Sequence, residues 1–381
     1  MSGIGLYVHV PFCAARCPYC DFATAPARSP LRAAYLDALA AEIAREGAAL
    51  GRPRVRTLFF GGGTPSLLDP AEIAVLDDAI RHAFDLRPRE VTVEANPATL
   101  DRARLEAWAA VGLTRLSLGA QSTTAAGLRA LGRTHQPEDI PAAVEAARSV
   151  GADVAIDLIL GWPGQTAADW RADLARAIAL GPDHLSCYPL ELHLEREEGA
   201  TNWPGGWAGV GRWRRDAAAR QDEDQVAALY EDADAALAAA GFRHYEIANW
   251  ARPGKRCLHN LTYWRNGEWL GVGAGAHSHL GQARTRRPAA LGEYVAAIRS
   301  GAPRLAVPDA DPAVDTALLA LRLDGGLDLA RYASRFGVDA RARVRAALAS
   351  ADPSLVEWHG ARVALTPRGR LLANEVLVAL V

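Results

Sequence analysis

Tyr7-Val-His-Val-Pro-Phe-Cys13-Ala-Ala-Arg-Cys17-Pro-Tyr-Cys20-Asp-Phe22 is the stretch on which the reading of this 381-residue chain turns. A β-branched and aromatic run, Leu6–Val10, reads as a strand, and three cysteines follow it at the spacing CxxxCxxC. Three thiolates on one tight loop can hold three corners of an iron–sulfur cube and leave the fourth iron open. Zinc is the competing occupant, but a structural zinc site wants four ligands, and the local count stops at three unless His9 turns back. Five cysteines in all, an odd number, argue against a disulfide framework.

Composition narrows the class. Half the residues are hydrophobic and 23% are charged, as in ordinary globular proteins. The formal net charge of −2 gives no basic field to attract nucleic acid. No apolar run reaches the length of a membrane span. Met1-Ser-Gly-Ile-Gly-Leu6 lacks the charged and apolar regions of an export signal. Free cysteines beside a cluster suit a reducing interior, so a cytoplasmic location is expected.

Working outward, strand-like runs recur at Thr57–Phe60, Val91–Glu94, Arg115–Gly119, Ala155–Leu160 and His184–Leu190. Helical patterns lie between them. Ser29-Pro30 reads as a helix start, Asp69-Pro-Ala-Glu72 as a capping box with proline at the first turn, and Thr166-Ala-Ala-Asp169 as another start. Gly112 and Gly181 suit helix ends. Six strand–helix units predict a parallel sheet covered by helices, either doubly wound or an incomplete barrel. Polar residues end strand after strand, which favours the barrel.

From Glu195 to Asp224 the periodicity breaks into a loop or excursion; Gln225–Ala240 is helical again. Beyond Asp311, helices that include Leu327–Phe336 and Ala340–Leu348, followed by a hairpin around Gly360, form a winged-helix-like unit. Its arginines, Arg341, Arg343 and Arg345, have acids nearby, so a packing or lid role is expected over nucleic-acid binding. The expected segments are 1–204 for the barrel core, 205–305 for its extension, and 306–381 for the winged-helix-like domain.

The strand ends carry the candidate site. Phe60-Gly-Gly-Gly-Thr-Pro-Ser66 lets backbone approach a ligand, and it lacks the Gly-Lys-Ser/Thr of a phosphate loop. Glu94, Gln121, Arg133 and Asp157 follow on later strands or just after them. A carboxylate in an apolar strand needs a partner, either a structural Arg or Lys or a ligand bearing hydroxyls and an amino group. Arg133 can clamp a ligand carboxylate.

These residues resemble the radical S-adenosylmethionine (SAM) superfamily, within it the oxygen-independent coproporphyrinogen III oxidase family, and most narrowly the HemW-type heme chaperones. The resemblance runs over nearly the whole chain. It includes Arg115-Leu-Ser-Leu-Gly-Ala-Gln-Ser122, Asp157-Leu-Ile-Leu-Gly-Trp-Pro-Gly-Gln-Thr166, Asp183-His-Leu-Ser-Cys-Tyr-Pro-Leu190, Cys257-Leu-His-Asn-Leu-Thr-Tyr-Trp264 and Leu365-Thr-Pro-Arg-Gly-Arg-Leu-Leu372.

The resemblance implies a partial (β/α)6 TIM-like radical SAM barrel, an α/β fold, with the small C-terminal winged-helix-like α+β domain. It implies a [4Fe–4S] cluster on Cys13, Cys17 and Cys20 whose open iron takes the amino and carboxylate groups of SAM. By motif position Tyr7, Gly62, Gly63, Thr64, Glu94, Gln121, Arg133 and Asp157 contact SAM, and Tyr19 packs on its adenine. The oxidases carry a further cysteine two residues after the third ligand; here, as in the HemW pattern, that position is Phe22.

His259-Asn-Leu-Thr-Tyr-Trp264 matches the HNxxYW motif of that pattern, and His259 is the candidate heme ligand, with Cys257 a weaker one. On chemistry alone these residues equally suit a hydrogen-bonded corner under the barrel. Trp203, Trp207, Trp213, Trp250, Trp264 and Trp269 suit either a porphyrin face or a core. The implied function is a heme chaperone that passes heme to an acceptor, such as a membrane-bound respiratory protein, with flavodoxin or ferredoxin as electron donor. The alternative is oxidative decarboxylation of coproporphyrinogen III to protoporphyrinogen IX.

Overall fold

A computed structural model describes residues 3–192, 203, 210–220, 222–307 and 311–380. Six strands form its centre: β1 (Ile4–Val10), β2 (Arg54–Gly62), β3 (Asp85–Ala95), β4 (Arg115–Gln121), β5 (Asp153–Leu160) and β6 (His184–Pro189). Each lies parallel to the next in chain order. Helices at Arg32–Ala49, Pro70–Ala83, Arg102–Val111, Asp139–Ser149 and Ala167–Ala179 cover the connections. The order never reverses, so there is no switch point of the doubly wound kind. The arrangement is a partial barrel, with polar strand ends gathered at one rim.

The two faces of these strands differ, as a period of two requires. Leu6, Val8 and Val10 are fully buried on one face of β1, and Val91 and Val93 lie equally deep on β3. The alternate positions carry Tyr7 and His9 on β1, and Glu90, Thr92 and Glu94 on β3. The helical layer packs on the apolar set, for example Trp108 edge-on to Phe60 with ring centres 4.8 Å apart.

The sheet grows at both edges. Asn249–Ala251 pairs antiparallel to β6 and to Arg243–Glu246. At the other edge Trp269–Val272 runs parallel to β1, and His277–Leu280, Ala283–Arg286 and Leu305–Ala306 follow antiparallel. The result is one open twelve-stranded sheet. A buried ion cluster fastens the second edge. Glu42 of the first long helix accepts from Arg287 Nε at 2.6 Å, Arg304 Nη1 at 2.9 Å, the Tyr294 hydroxyl at 2.8 Å and the Gly273 amide at 2.8 Å.

The C-terminal unit has its own core around Ala317, Leu321, Tyr332, Leu348, Val363 and Val376. Helices Pro312–Leu321, Leu329–Phe336 and Val338–Ala349 precede the hairpin Val356–His359 and Arg362–Leu365. Asn266 and Arg284 anchor it to the barrel through Thr316 at 2.8 Å and Asp315 at 2.7 Å.

Two boundaries differ from the sequence reading. The first helix starts at Arg32, not at Ser29-Pro30; the Ser29 hydroxyl only accepts from the Leu31 amide at 3.3 Å. Leu327–Phe336 is not one helix. Leu327–Asp328 pairs with the hairpin, and Asp328 stays extended because its carboxylate caps the amides of Ala330 and Arg331. Within the irregular stretch from Glu195 to Asp224, residues 195–202, 204–209 and 221 lie outside the described residues, and Val210–Ala218 is a helix. No helix among the described residues is long and apolar enough to cross a membrane.

Candidate functional site

The cysteine loop leaves the C-terminal end of β1, at the rim where β2 to β5 also end. All five cysteines are free thiols, and Cys13, Cys17 and Cys20 are partly exposed. The Cys20 amide donates to the Cys17 carbonyl at 3.1 Å. His9 pins the far end of the loop, its Nε2 lying 2.8 Å from the Ala23 carbonyl and its Nδ1 3.1 Å from the Tyr7 hydroxyl. Both ring nitrogens are thereby engaged, which removes His9 as a fourth metal ligand. Burial holds its pKa down at about 4.

Donor groups face two of the sulfurs. The Thr64 hydroxyl points at Cys13 Sγ, 3.5 Å away, and Arg133 Nη1 at Cys17 Sγ, 3.3 Å away. Burial pushes the Cys13 thiol up to about 11 and the Cys20 thiol to about 12. Among the described residues no three His, Cys, Asp or Glu side chains converge on a single-ion cage. Three unpaired thiols spread along one loop suit the separated corners of a cubane better than the short bonds of one zinc ion.

The glycine run serves the protein's own backbone. A side chain at Gly63 would meet the Pro11 carbonyl at 2.5 Å, and one at Gly62, where φ is +113°, would meet the His9 ring at 2.3 Å. The run thus lets the end of β2 close onto the strand entering the cysteine loop, with Gly63 donating to Val10 and Thr64 to Phe12.

The inward residues form one wall of polar groups across neighbouring strands. Glu94 Oε2 accepts from the Gly62 amide at 2.9 Å. Burial, helped by Asp157, pushes its pKa up to about 7 despite that bond. Asp157 accepts from the Ser117 hydroxyl at 3.2 Å, and burial raises its pKa although Ser186 and Ser117 hydrogen bonds oppose the shift. Neither carboxylate is ion-paired among the described residues, so the structural-partner reading has no support in the geometry. Arg133 Nη2 holds the Gly119 carbonyl at 2.7 Å, while its buried Nε has no partner. Gln121 sits at φ +66° in a bulge of β4, a strained backbone for a non-glycine residue. Tyr19 packs with Trp213 against Leu131, Ile159, Trp162 and Leu190, an apolar patch beside these polar groups.

Two polar centres here had no signal in the sequence reading. Ser117 and Ser186 sit beside Asp157 on neighbouring strands, and Arg214 reaches the cysteine loop from a distant helix. The period of two could have flagged the serines, since it places them inward.

His259 lies elsewhere. It is 1% exposed, its Nδ1 is 2.8 Å from the Thr57 hydroxyl and its Nε2 2.7 Å from the Tyr263 hydroxyl. Its ring packs on Phe59, and burial lowers its pKa to about 3. Glu90 caps this helix, Leu258–Trp264, by accepting from the Leu258 and His259 amides at 2.9 Å. Cys257 is buried with its thiol 3.4 Å from Glu90. In the heme-free chain both His259 ring nitrogens thus meet hydroxyls, and the motif forms a hydrogen-bonded corner inside the barrel. The tryptophans divide similarly. Trp250 and Trp269 are core residues, Trp264 lies under Arg322, and Trp203 donates to Thr24 at 3.1 Å. Trp207 is outside the described residues.

Residues 7–177 match the radical SAM superfamily and residues 307–372 the HemN C-terminal domain. The chain is 41% identical to the heme chaperone HemW of Mycobacterium tuberculosis, over 98% of this chain and 93% of that protein. This chain belongs to the HemW family. A HemW of Synechocystis is 33% identical over 98% of this chain and 95% of the relative. Among solved structures, the Escherichia coli coproporphyrinogen III oxidase HemN, described as a radical SAM enzyme, superposes with a TM-score of 0.84. That match has 26% identity and covers 99% of this chain and 90% of HemN. The HemW family thus shares its whole architecture, C-terminal unit included, with a porphyrinogen oxidase.

Membership of the radical SAM superfamily implies a [4Fe–4S] cluster and SAM. The residues present fit both: three free thiols on a rim loop, a hydroxyl and a guanidinium facing them, two unpaired carboxylates, and an orphaned Arg133 Nε in the same wall.

Proposed function

We propose that this protein is a heme chaperone that binds heme and hands it to an acceptor protein. The observation that carries this reading is the similarity to HemW proteins over 98% of the chain. Phe22 supports it: it stands where the oxidase pattern has a further cysteine, and its ring is 68% exposed. The oxidase reading rests on the shared scaffold.

Cys13, Cys17 and Cys20 would hold the cluster. Tyr7, Gly62, Gly63, Thr64, Glu94, Gln121, Arg133 and Asp157 would surround SAM, with Tyr19 against its adenine. When bound, the cluster supplies an open iron that chelates SAM and passes it an electron. Glu94 and Asp157 are suited to accept from ribose hydroxyls or an amino group, because among the described residues neither is in a salt bridge. Arg133 has a donor to spare for a carboxylate. His259 is the heme ligand we propose, with Cys257 the weaker candidate; one of the hydroxyls now bonded to the His259 ring would have to yield. The acceptor we propose is a membrane-bound respiratory protein, the electron donor flavodoxin or ferredoxin, and the setting the cytoplasm.

Anaerobic titration of the purified protein with hemin, followed at the Soret band, tests the reading. Saturable, near-stoichiometric uptake is expected. No such uptake, or formation of protoporphyrinogen IX from coproporphyrinogen III with SAM and reductant, would overturn it.

A further inference from the structure

We infer that Arg214 is a positioning residue for the cluster loop, and that helix Val210–Ala218 is the latch that carries it. This inference rests on the reading of Cys13, Cys17 and Cys20 as cluster ligands.

The contacts are specific. Arg214 Nε donates to the Pro18 carbonyl at 2.9 Å, and its Nη2 donates to the Cys20 carbonyl at 3.2 Å and to Asp21 Oδ1 at 2.7 Å. Its side chain is only 4% exposed. Nearly two hundred residues separate it in sequence from the loop it holds. The neighbouring Trp213 packs against the same apolar cluster as Tyr19. One turn of helix thus holds the loop at Pro18, Cys20 and Asp21 while sharing an apolar anchor with Tyr19.

The chemistry explains why arginine is used. Within the loop the backbone supplies the Cys20–Cys17 bond, but the carbonyls of Pro18 and Cys20 need donors from outside. A planar guanidinium offers several donors in a fixed fork, so it can span two carbonyls and a carboxylate at once. An ammonium cannot reproduce that spread. The carbonyl of a ligand cysteine held rigid fixes the direction of its Cβ and therefore of its sulfur. Outer contacts of this kind orient metal ligands, and their loss typically costs about 10- to 100-fold in affinity. Asp21 balances the buried cation, so the pair adds rigidity with little net charge near the cluster.

The test uses the full-length protein, as apo form and after anaerobic reconstitution. Arg214→Met, Arg214→Lys and Arg214→Met/Asp21→Asn are compared with the parent. In apo protein, hydrogen exchange of a peptide spanning residues 14–23 should rise at least several-fold in Arg214→Met and less in Arg214→Lys. In reconstituted protein, Arg214→Met should lose cluster to a chelator roughly tenfold faster. Its reduction potential should fall, because a positive charge beside the cluster is lost. The double variant should recover the potential but not the retention, since charge balance returns and the carbonyl ties do not.

Loop exchange and cluster loss at parental rates in Arg214→Met would overturn the inference, as would full rescue of retention by the double variant. A parent that binds no cubane would defeat the cluster reading instead, and the apo exchange measurement would still decide Arg214. A melting curve for each variant separates these effects from global unfolding.

Discussion

Arg133 aims one guanidinium nitrogen at the sulfur of Cys17, 3.3 Å away, while another holds the Gly119 carbonyl at 2.7 Å. The guanidinium therefore sits between the cysteine loop and the end of β4, anchored at both. Burial opposes its charge, but Tyr19 and Cys17 outweigh that and raise its pKa. Replacing Arg133 by Gln should weaken SAM binding at least tenfold, and Lys should recover little, since it offers a point charge in place of a fork. Equilibrium dialysis of SAM against reconstituted protein measures this.

Glu94 gives a pH signature. Its carboxyl is raised from an ordinary value near 4.5 to about 7 in the folded chain. Below the unfolded value the group is protonated in both states and contributes nothing. As pH rises toward 7 the unfolded chain releases the proton first, so the folded state is penalised by roughly 3 kcal/mol at neutral pH. The ligand-free protein should lose stability between about pH 4.5 and pH 7, and Glu94→Gln should flatten that slope. Chemical denaturation across this range reads it. A gain in stability over the same interval would contradict the assignment.

The motif around His259 predicts a stability phenotype. Its two hydrogen bonds and ring packing are buried, so His259→Ala should cost roughly 2–4 kcal/mol. Glu90→Ala, which uncaps the same helix, should cost about 1–3 kcal/mol. Hemin uptake by the folded fraction should fall in His259→Ala and match the parent in Glu90→Ala. Parental uptake by folded His259→Ala would remove His259 as the heme ligand.

Thiol roles separate cleanly. Cys17→Ala should leave iron and sulfide well below the parent after reconstitution. Cys187 and Cys257 are buried and lie outside the cysteine loop, with thiol pKa values raised by burial, so Cys187→Ala and Cys257→Ala should keep the full cluster. Iron, sulfide and EPR measurements distinguish the two classes.

The buried ion cluster at the second sheet edge makes a last test. Removing one partner of such a cluster leaves charge without compensation, which typically costs about 3–5 kcal/mol. Glu42→Ala should therefore lower the melting temperature sharply while Arg87→Ala, in an exposed pair, should change little.

The six parallel strands were legible because each combines an apolar run with a polar end, and because Asp69 and Thr166 announce their helices with capping boxes. The rim site was legible through cysteine spacing and through carboxylates placed where strands stop. What escaped the sequence is tertiary. The ties of His9 to Ala23, Arg214 to Cys20 and Glu42 to Arg287 join residues with no shared periodicity. The sequence left His259 open between a ligand and a hydrogen-bonded corner; that its ring meets Thr57 and Tyr263 is information only the fold carries. The glycine run was read as letting backbone approach a ligand, and the atoms that approach Gly62 and Gly63 in the fold are the protein's own.

The spacing of Glu90 and Glu94 along β3 has a wider consequence. Two carboxylates four residues apart share a face, one closing the base of the structure over the Leu258–Trp264 helix and the other waiting at the rim. Slipping that strand by a single step would drive both acids into the helical layer and turn Val91 and Val93 toward polar space. Misalignment is thus punished at two levels at once, and a chain that has found its correct pairing has, by the same act, assembled its chemistry.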